Sequence, residues 1–209
     1  MKINIRIATI LVLAVIFSFP SVAQNSGTIS GQDTDKNVIT TAVPFLTIAP
    51  DPISGAMGDV GAATAPNANS IYWNPAKLAF INNDYGFAFS YTPWLSKFVD
   101  DMSISYLSGY KKIDDNQAFG MALTYFDLGD IQLTDGVGNN LQVINPREFS
   151  IAATYSRKLS NDLSLGVTGK FIHSNLSGNI TTSPVMDPKP GTSIAADIGV
   201  YYKTELDVF

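Results

Sequence analysis

From Tyr85 onward the chain alternates large apolar residues with small or polar ones. Tyr85, Phe87, Phe89 and Tyr91 alternate with Gly86, Ala88, Ser90 and Thr92. Met102, Ile104, Tyr106 and Tyr110 alternate with Ser103, Ser105 and Gly109, apart from a slip at Leu107, and Phe119, Met121, Leu123 and Tyr125 alternate with Ala118, Gly120, Ala122 and Thr124. The clearest stretch is Arg147 to Ser174. There Phe149, Ile151, Ala153 and Tyr155 oppose Ser150, Ala152, Thr154 and Ser156. After the polar break Leu159 to Asp162, Leu163, Leu165, Val167, Gly169 and Phe171 oppose Ser164, Gly166, Thr168 and Lys170. Last, Ile194, Ala196, Ile198, Val200 and Tyr202 alternate with Ser193, Asp197, Gly199 and Lys203. A period of two places each set on one face of a pleated strand. The pattern predicts six antiparallel strands, apolar and aromatic on one face, small and polar on the other. A soluble sandwich shows the same alternation, so the strands alone do not separate water from membrane.

The connections do separate them. Short breaks at Lys112 to Gln117 and Leu159 to Asp162 alternate with long ones at Pro93 to Asp101, Leu128 to Pro146 and Asn175 to Gly191. Short turns at one end, long loops at the other and aromatic borders are the marks of an outer-membrane barrel. The expected fold is all-β, an antiparallel transmembrane β-barrel. Six strands fall short of the roughly eight that close the smallest barrels, and open edges in lipid leave backbone groups unsatisfied. Residues 84–209 are therefore expected to be part of a larger barrel, with short turns periplasmic and long loops extracellular.

The front of the chain reads differently. Lys2 and Arg6 precede the apolar run Ile7 to Phe19, and Ser21-Val22-Ala23 follows. This predicts a secretory signal peptide over 1–23 rather than a membrane anchor, because a spanning helix needs about 20 apolar residues. Residues 24–42 are polar, glycine-broken and aperiodic, which predicts a flexible segment. Residues 43–83 are dense in Gly, Ala, Asn and Pro and read as a plug packed tightly against other elements. Asn69 or Ser70 is expected to cap a turn through Trp73, and Pro75 to start the next. Gly55, Gly58 and Gly61 do not form a phosphate loop, since no strand precedes them and no Lys-Ser/Thr follows.

Composition narrows the function. With 13 basic and 18 acidic residues, a net charge of −5 and no basic cluster, a nucleic-acid partner is excluded. There is no cysteine, hence no disulfide or thiolate chemistry. The one histidine, His173, shares the parity of the apolar face, whereas Ser174 points to the other, which argues against a hydrolytic pair. Asp127, Asp130 and Asp135 lie in a glycine-bearing loop, but their spacing matches no calcium loop and a solvated loop is the better reading. Lys170, Asp197 and Lys203 fall on the small, polar face. No enzyme activity, cofactor or metal is expected.

Four segments carry a resemblance: Phe45-Leu46-Thr47-Ile48-Ala49-Pro50-Asp51, Gly58-Asp59-Val60-Gly61, Trp73-Asn74-Pro75-Ala76-Lys77 and Ser90-Tyr91-Thr92-Pro93-Trp94-Leu95. In this order they resemble the PorV family of type IX secretion barrels. Asn74-Pro75-Ala76 alone is similar to the wider FadL-like superfamily of outer-membrane barrels. The resemblance implies an outer-membrane protein of a Gram-negative bacterium whose partners are membrane lipid, the secretion translocon barrel, exported cargo and a cell-surface sortase. Apolar residues of the long loops are the expected partner contacts: Trp94, Leu95, Phe98, Val143, Ile144, Val185 and Met186. Folding of these residues back over the barrel mouth is the competing expectation. The alternative function is a FadL-like transporter of hydrophobic small molecules; Ala49-Pro50-Asp51 and Tyr91-Thr92-Pro93-Trp94 favour secretion over it.

Overall fold

The computed structural model describes residues 43–95, 97, 101–176 and 190–204. The signal peptide and the whole 24–42 segment therefore lie outside the described residues, as do Phe98, Val185 and Met186. Among the described residues there are eight strands: β1 (Tyr85–Pro93), β2 (Ser103–Asp114), β3 (Gln117–Asp127), β4 (Ile131–Thr134), β5 (Asn140–Ile144), β6 (Arg147–Lys158), β7 (Leu163–Asn175) and β8 (Gly191–Tyr202). Six of them form one antiparallel sheet in the order β1-β2-β3-β6-β7-β8. This up-and-down order is the one the alternation predicts. The sheet is open, with β1 and β8 at its edges.

Registers are continuous except for one shift at the β2–β3 turn between Lys112 and Asp114. Side chains therefore sort cleanly onto two faces. Phe87, Phe89, Phe119, Met121, Ile151, Phe171 and Ile198 are exposed on the outer face, whereas Ser108, Thr154, Ser156, Ser164 and Thr168 are buried on the inner one. The hydroxyls of Thr154 and Thr168 meet at 2.7 Å there.

Strand β2 departs from the expected polarity. Its apolar set, Ile104 and Tyr106, is buried on the inner face, while Leu107 points outward at 47 % exposure. Pairing explains this: Leu107 lies opposite Phe89 and Leu123, and Gly109 opposite Phe87 and Met121. The slip at Leu107 is thus no irregularity of backbone. The two faces of β2 exchange roles because its large side chains meet the amino-terminal segment.

That segment covers the inner face. It comprises a 3-10 turn (Pro44–Thr47), a short helix (Pro52–Ala56), a helical turn (Ser70–Trp73) and a 3-10 helix (Pro75–Phe80). Its Ile71, Leu78 and Ile81 form one core cluster with Tyr106, Ala118, Ala122 and Ala152 of the sheet. At the long-loop end Phe45 joins Ile104, Phe126 and Ile172 in a second cluster, its ring stacked 6.5 Å from Phe126. The cap expected at Asn69 or Ser70 does not form from Asn69, which makes no side-chain cap bond; Ser70 Oγ instead accepts the Asn67 amide at 3.0 Å. Asn74 is the capping residue, its Oδ1 accepting the Ala76 amide at 3.1 Å at the start of Pro75–Phe80.

The connection Leu128 to Pro146, expected as a loop, is largely a separate hairpin of β4 and β5. Its strands are too short for periodicity to reveal. The turn is made by Asp135, whose carboxylate accepts the amides of Val137 and Asn139 at 2.9 and 2.8 Å.

Candidate functional site

The segment Asn74-Pro75-Ala76 is seated directly on the sheet. Two strand glycines provide the room. A Cβ on Gly166 would lie 2.4 Å from the Ala76 amide nitrogen, and one on Gly199 2.4 Å from Asn74 Oδ1. Only glycine lets backbone approach this closely. Polar groups then hold what the glycines admit. The Ala76 carbonyl accepts Ser156 Oγ at 3.0 Å and Ser164 Oγ at 2.7 Å, and the Ala79 amide donates to Ser156 Oγ at 3.2 Å. The Asn74 side-chain Nδ2 donates to the Val200 carbonyl at 3.1 Å. A turn whose backbone groups are buried is satisfied by hydroxyls and an amide projecting from β6, β7 and the segment itself.

Farther along, the segment ties itself together. Asp51 is buried and caps Pro52–Ala56, accepting the Ile53 amide at 3.1 Å and Ser54 Oγ at 2.5 Å. Lys77 is 1 % exposed, with Nζ donating to the Gly61 carbonyl at 2.7 Å and Thr64 Oγ1 at 3.0 Å. Burial lowers its pKa to about 8, against the opposing pull of Asp51. Tyr72 Oη donates to the carbonyls of Leu46 and Ile48, and Ser90 Oγ donates to that of Pro50 at 2.5 Å. Burial, followed by the charge of Asp59, raises the Tyr72 pKa.

These bonds join the four motif segments noted in the sequence. Trp73 to Lys77 grips Gly58 to Gly61 through Lys77, Ser90 to Leu95 grips Phe45 to Asp51 through Ser90, and Tyr72, the neighbour of Trp73, ties to Leu46 and Ile48. Motifs scattered over some fifty residues are one structural unit. The family model described as "Type IX secretion system protein PorV" matches residues 31–209. The chain belongs to the PorV family. No curated protein sequence matches it.

In this PorV-family chain the expected partner contacts divide. Trp94 is half-buried against the Phe45 cluster, and Ile144 is 5 % exposed. Trp94 thus packs at the end of the sheet, and Ile144 is buried at the end of β5. Leu95, 52 % exposed, and Val143, 48 % exposed, remain outside, as does Val137 at the hairpin tip. Leu95 holds a φ of 53°, an uncommon left-handed conformation for a non-glycine residue. Val137 carried no sequence signal beyond its place in a loop.

The remaining candidates are engaged elsewhere. His173 packs on Phe149 with ring centroids 5.0 Å apart on the outer face, while Ser174 Oγ donates to the buried Glu148 at 2.6 Å on the inner one. Asp127 and Asp101 accept the amides of Gly129 and Asp130, and Asn145 donates to Asp130. Among the described residues no three His, Cys, Asp or Glu side chains converge as a metal site. Lys170 and Asp197 form an ion pair at 2.6 Å beside Trp73 and Asn74. The sequence placed that pair on one face without revealing its contact; their direct opposition to neighbouring inner-face positions across β7 and β8 is what brings it about. Ser156, Ser164, Gly166 and Gly199, the seat of the motif, were not foreseen as a site.

Proposed function

We propose that this chain builds an outer-membrane β-barrel of the type IX secretion system, exported by the signal peptide at 1–23, that docks the translocon barrel and conveys cargo to the surface sortase through its long loops. The observation that carries the reading is the family match over residues 31–209. The architecture agrees with it. The outer face is apolar and aromatic, as a lipid-facing surface is. The inner face is filled by residues 43–83, acting as a plug, and the loop end presents Leu95, Val143 and Val137 to solvent. Exposed apolar residues in a polar loop are the usual anchors of a protein contact.

The test is a deletion strain. Proteins bearing type IX sorting domains are followed by surface proteolysis and periplasmic fractionation. Retention in the periplasm with sorting domains uncleaved is the expected outcome. Normal surface display together with reduced uptake of hydrophobic small molecules would instead establish a FadL-like transporter. In the secretion-competent background, Val143→Asp and Leu95→Asp are expected to lower cargo display while leaving the barrel in the membrane.

A further inference from the structure

The outer face is mostly apolar but not evenly tall. Along β2 the outward positions are Ser105, Leu107, Gly109 and Lys111, flanked by aromatic and long side chains of β1 and β3. The absent side chain at Gly109, between Phe87 and Met121, opens a furrow of about 560 Å³. That lies within the size range of small-molecule clefts. Leu107 forms its far end, and Tyr85 and Lys111 its near end, beside the short β2–β3 turn. From Leu107 to Lys111 at about 3.4 Å per residue the furrow is about 14 Å long. This is close to half of a bilayer core about 30 Å thick, that is, one leaflet.

Charge completes the picture. Lys112 pairs with Asp115 at 3.6 Å, whereas Lys111, on the outward side, has no ion pair among the described residues. A cation at the turn end of an apolar furrow one leaflet long is the complement of an anionic lipid with its chain in the furrow and its headgroup at the rim. We propose that β2 binds an anionic phospholipid of the periplasmic leaflet, its acyl chain lying over Gly109 and its phosphate at Lys111. This rests on the outer-membrane reading above. The inverted polarity of β2 is its structural origin: large side chains turned inward to meet the amino-terminal segment leave small ones outside. A partner protein's side chain is the competing occupant, but a cation without an ion pair at leaflet depth favours a headgroup.

The experiment is native mass spectrometry of the full-length barrel in detergent micelles, titrated with phosphatidylglycerol and, separately, phosphatidylcholine. A Cβ at Gly109 meets only the Gly86 carbonyl at 3.5 Å and Phe87 Cβ at 3.9 Å, so Gly109→Leu fills the furrow without backbone conflict. Wild type is expected to bind phosphatidylglycerol about fivefold more tightly than phosphatidylcholine, the effect of one basic residue near an anionic surface. Gly109→Leu should lose both lipids, Lys111→Gln only the preference, and Gly169→Leu, outward but elsewhere, neither. Unchanged binding by Gly109→Leu would overturn the proposal, as would intact lipid binding with loss of a co-purifying protein. Failure of the wild type to fractionate with the outer membrane would instead overturn the reading on which it rests, so the two failures are distinguishable.

Discussion

Gly166 and Gly169 lie on the same strand and face opposite sides of the sheet, and their surroundings could hardly differ more. A side chain at Gly166 would strike the backbone of Pro75 and Ala76 within 2.5 Å, whereas one at Gly169 meets nothing within 4 Å. Small residues thus mean different things on the two faces. On the inner face they are space already taken by the amino-terminal segment. On the outer face they are hollows in an apolar surface. The difference separates residues that hold the molecule together from residues that shape what it meets.

The sharpest way to break this contrast is substitution at the paired glycines. Gly166→Ala is expected to cost about 3 kcal/mol or more, since backbone must move to admit the methyl group. Gly169→Ala should stay within about 0.5 kcal/mol, as surface changes usually do. Urea titration of the detergent-solubilised protein by tryptophan fluorescence reads both; equal effects would abolish the distinction between the faces.

Next in size is removal of the hydroxyls beneath Ala76. The double change Ser156→Ala and Ser164→Ala leaves that buried carbonyl without its two donors, an expected loss of about 1–3 kcal/mol. Ser164→Ala alone leaves Ser156 in place and should cost less. Near-additive small losses from the two single changes, with no larger double effect, would show that water replaces the hydroxyls.

Lys77 offers a pH-dependent version of the same test. Its folded pKa, about 8, lies below the ordinary 10.5, so below pH 8 both folded and unfolded chains hold the proton and the buried charge opposes folding in full. Between pH 8 and 10.5 the folded state sheds it first, and stability rises with pH. The rise should be missing in Lys77→Met, compared by urea titration at matched pH values.

The smallest effect belongs to the hairpin tip. The Asn139 side chain, and after it the backbone amides of Asn139 and Val137, donate to the Asp135 carboxylate and lower its pKa. Its contribution is present at neutral pH and lost as pH falls through that lowered value. Hydrogen exchange at the Val137 amide should quicken on acidification relative to the intrinsic rate, and Asp135→Asn should reduce that pH response.

Much of this was legible in the sequence because strand parity is a local property. The β6–β7 hairpin and its Leu159–Asp162 turn appear where alternation places them. Strand β2 shows where local reading fails: Tyr106 and Leu107 are both large, and parity alone does not say which of them faces the core. That depends on Ile71 and Tyr72, more than thirty residues earlier, against which Tyr106 packs. The β4–β5 hairpin was hidden for another reason, its strands being four and five residues long. The motif segments were visible as strings, but their bonds to one another, Lys77 to Gly61 and Ser90 to Pro50, are long-range in sequence and belong to the fold. Of the expected contact residues, Leu95 and Val143 stay exposed while Trp94 and Ile144 do not, because an apolar residue in a loop can equally be drawn into packing.

Hydrogen exchange of residues 74–81 in the folded, detergent-solubilised protein tests the seat of the amino-terminal segment most directly. The amides of Ala79 and Ile81 donate to Ser156 Oγ and the Leu78 carbonyl. If the segment is locked on the inner face, they exchange as slowly as the central amides of β6 and β7, and Gly166→Ala speeds them selectively. If they exchange as fast as the exposed hairpin tip while the strands stay protected, the segment is not seated there.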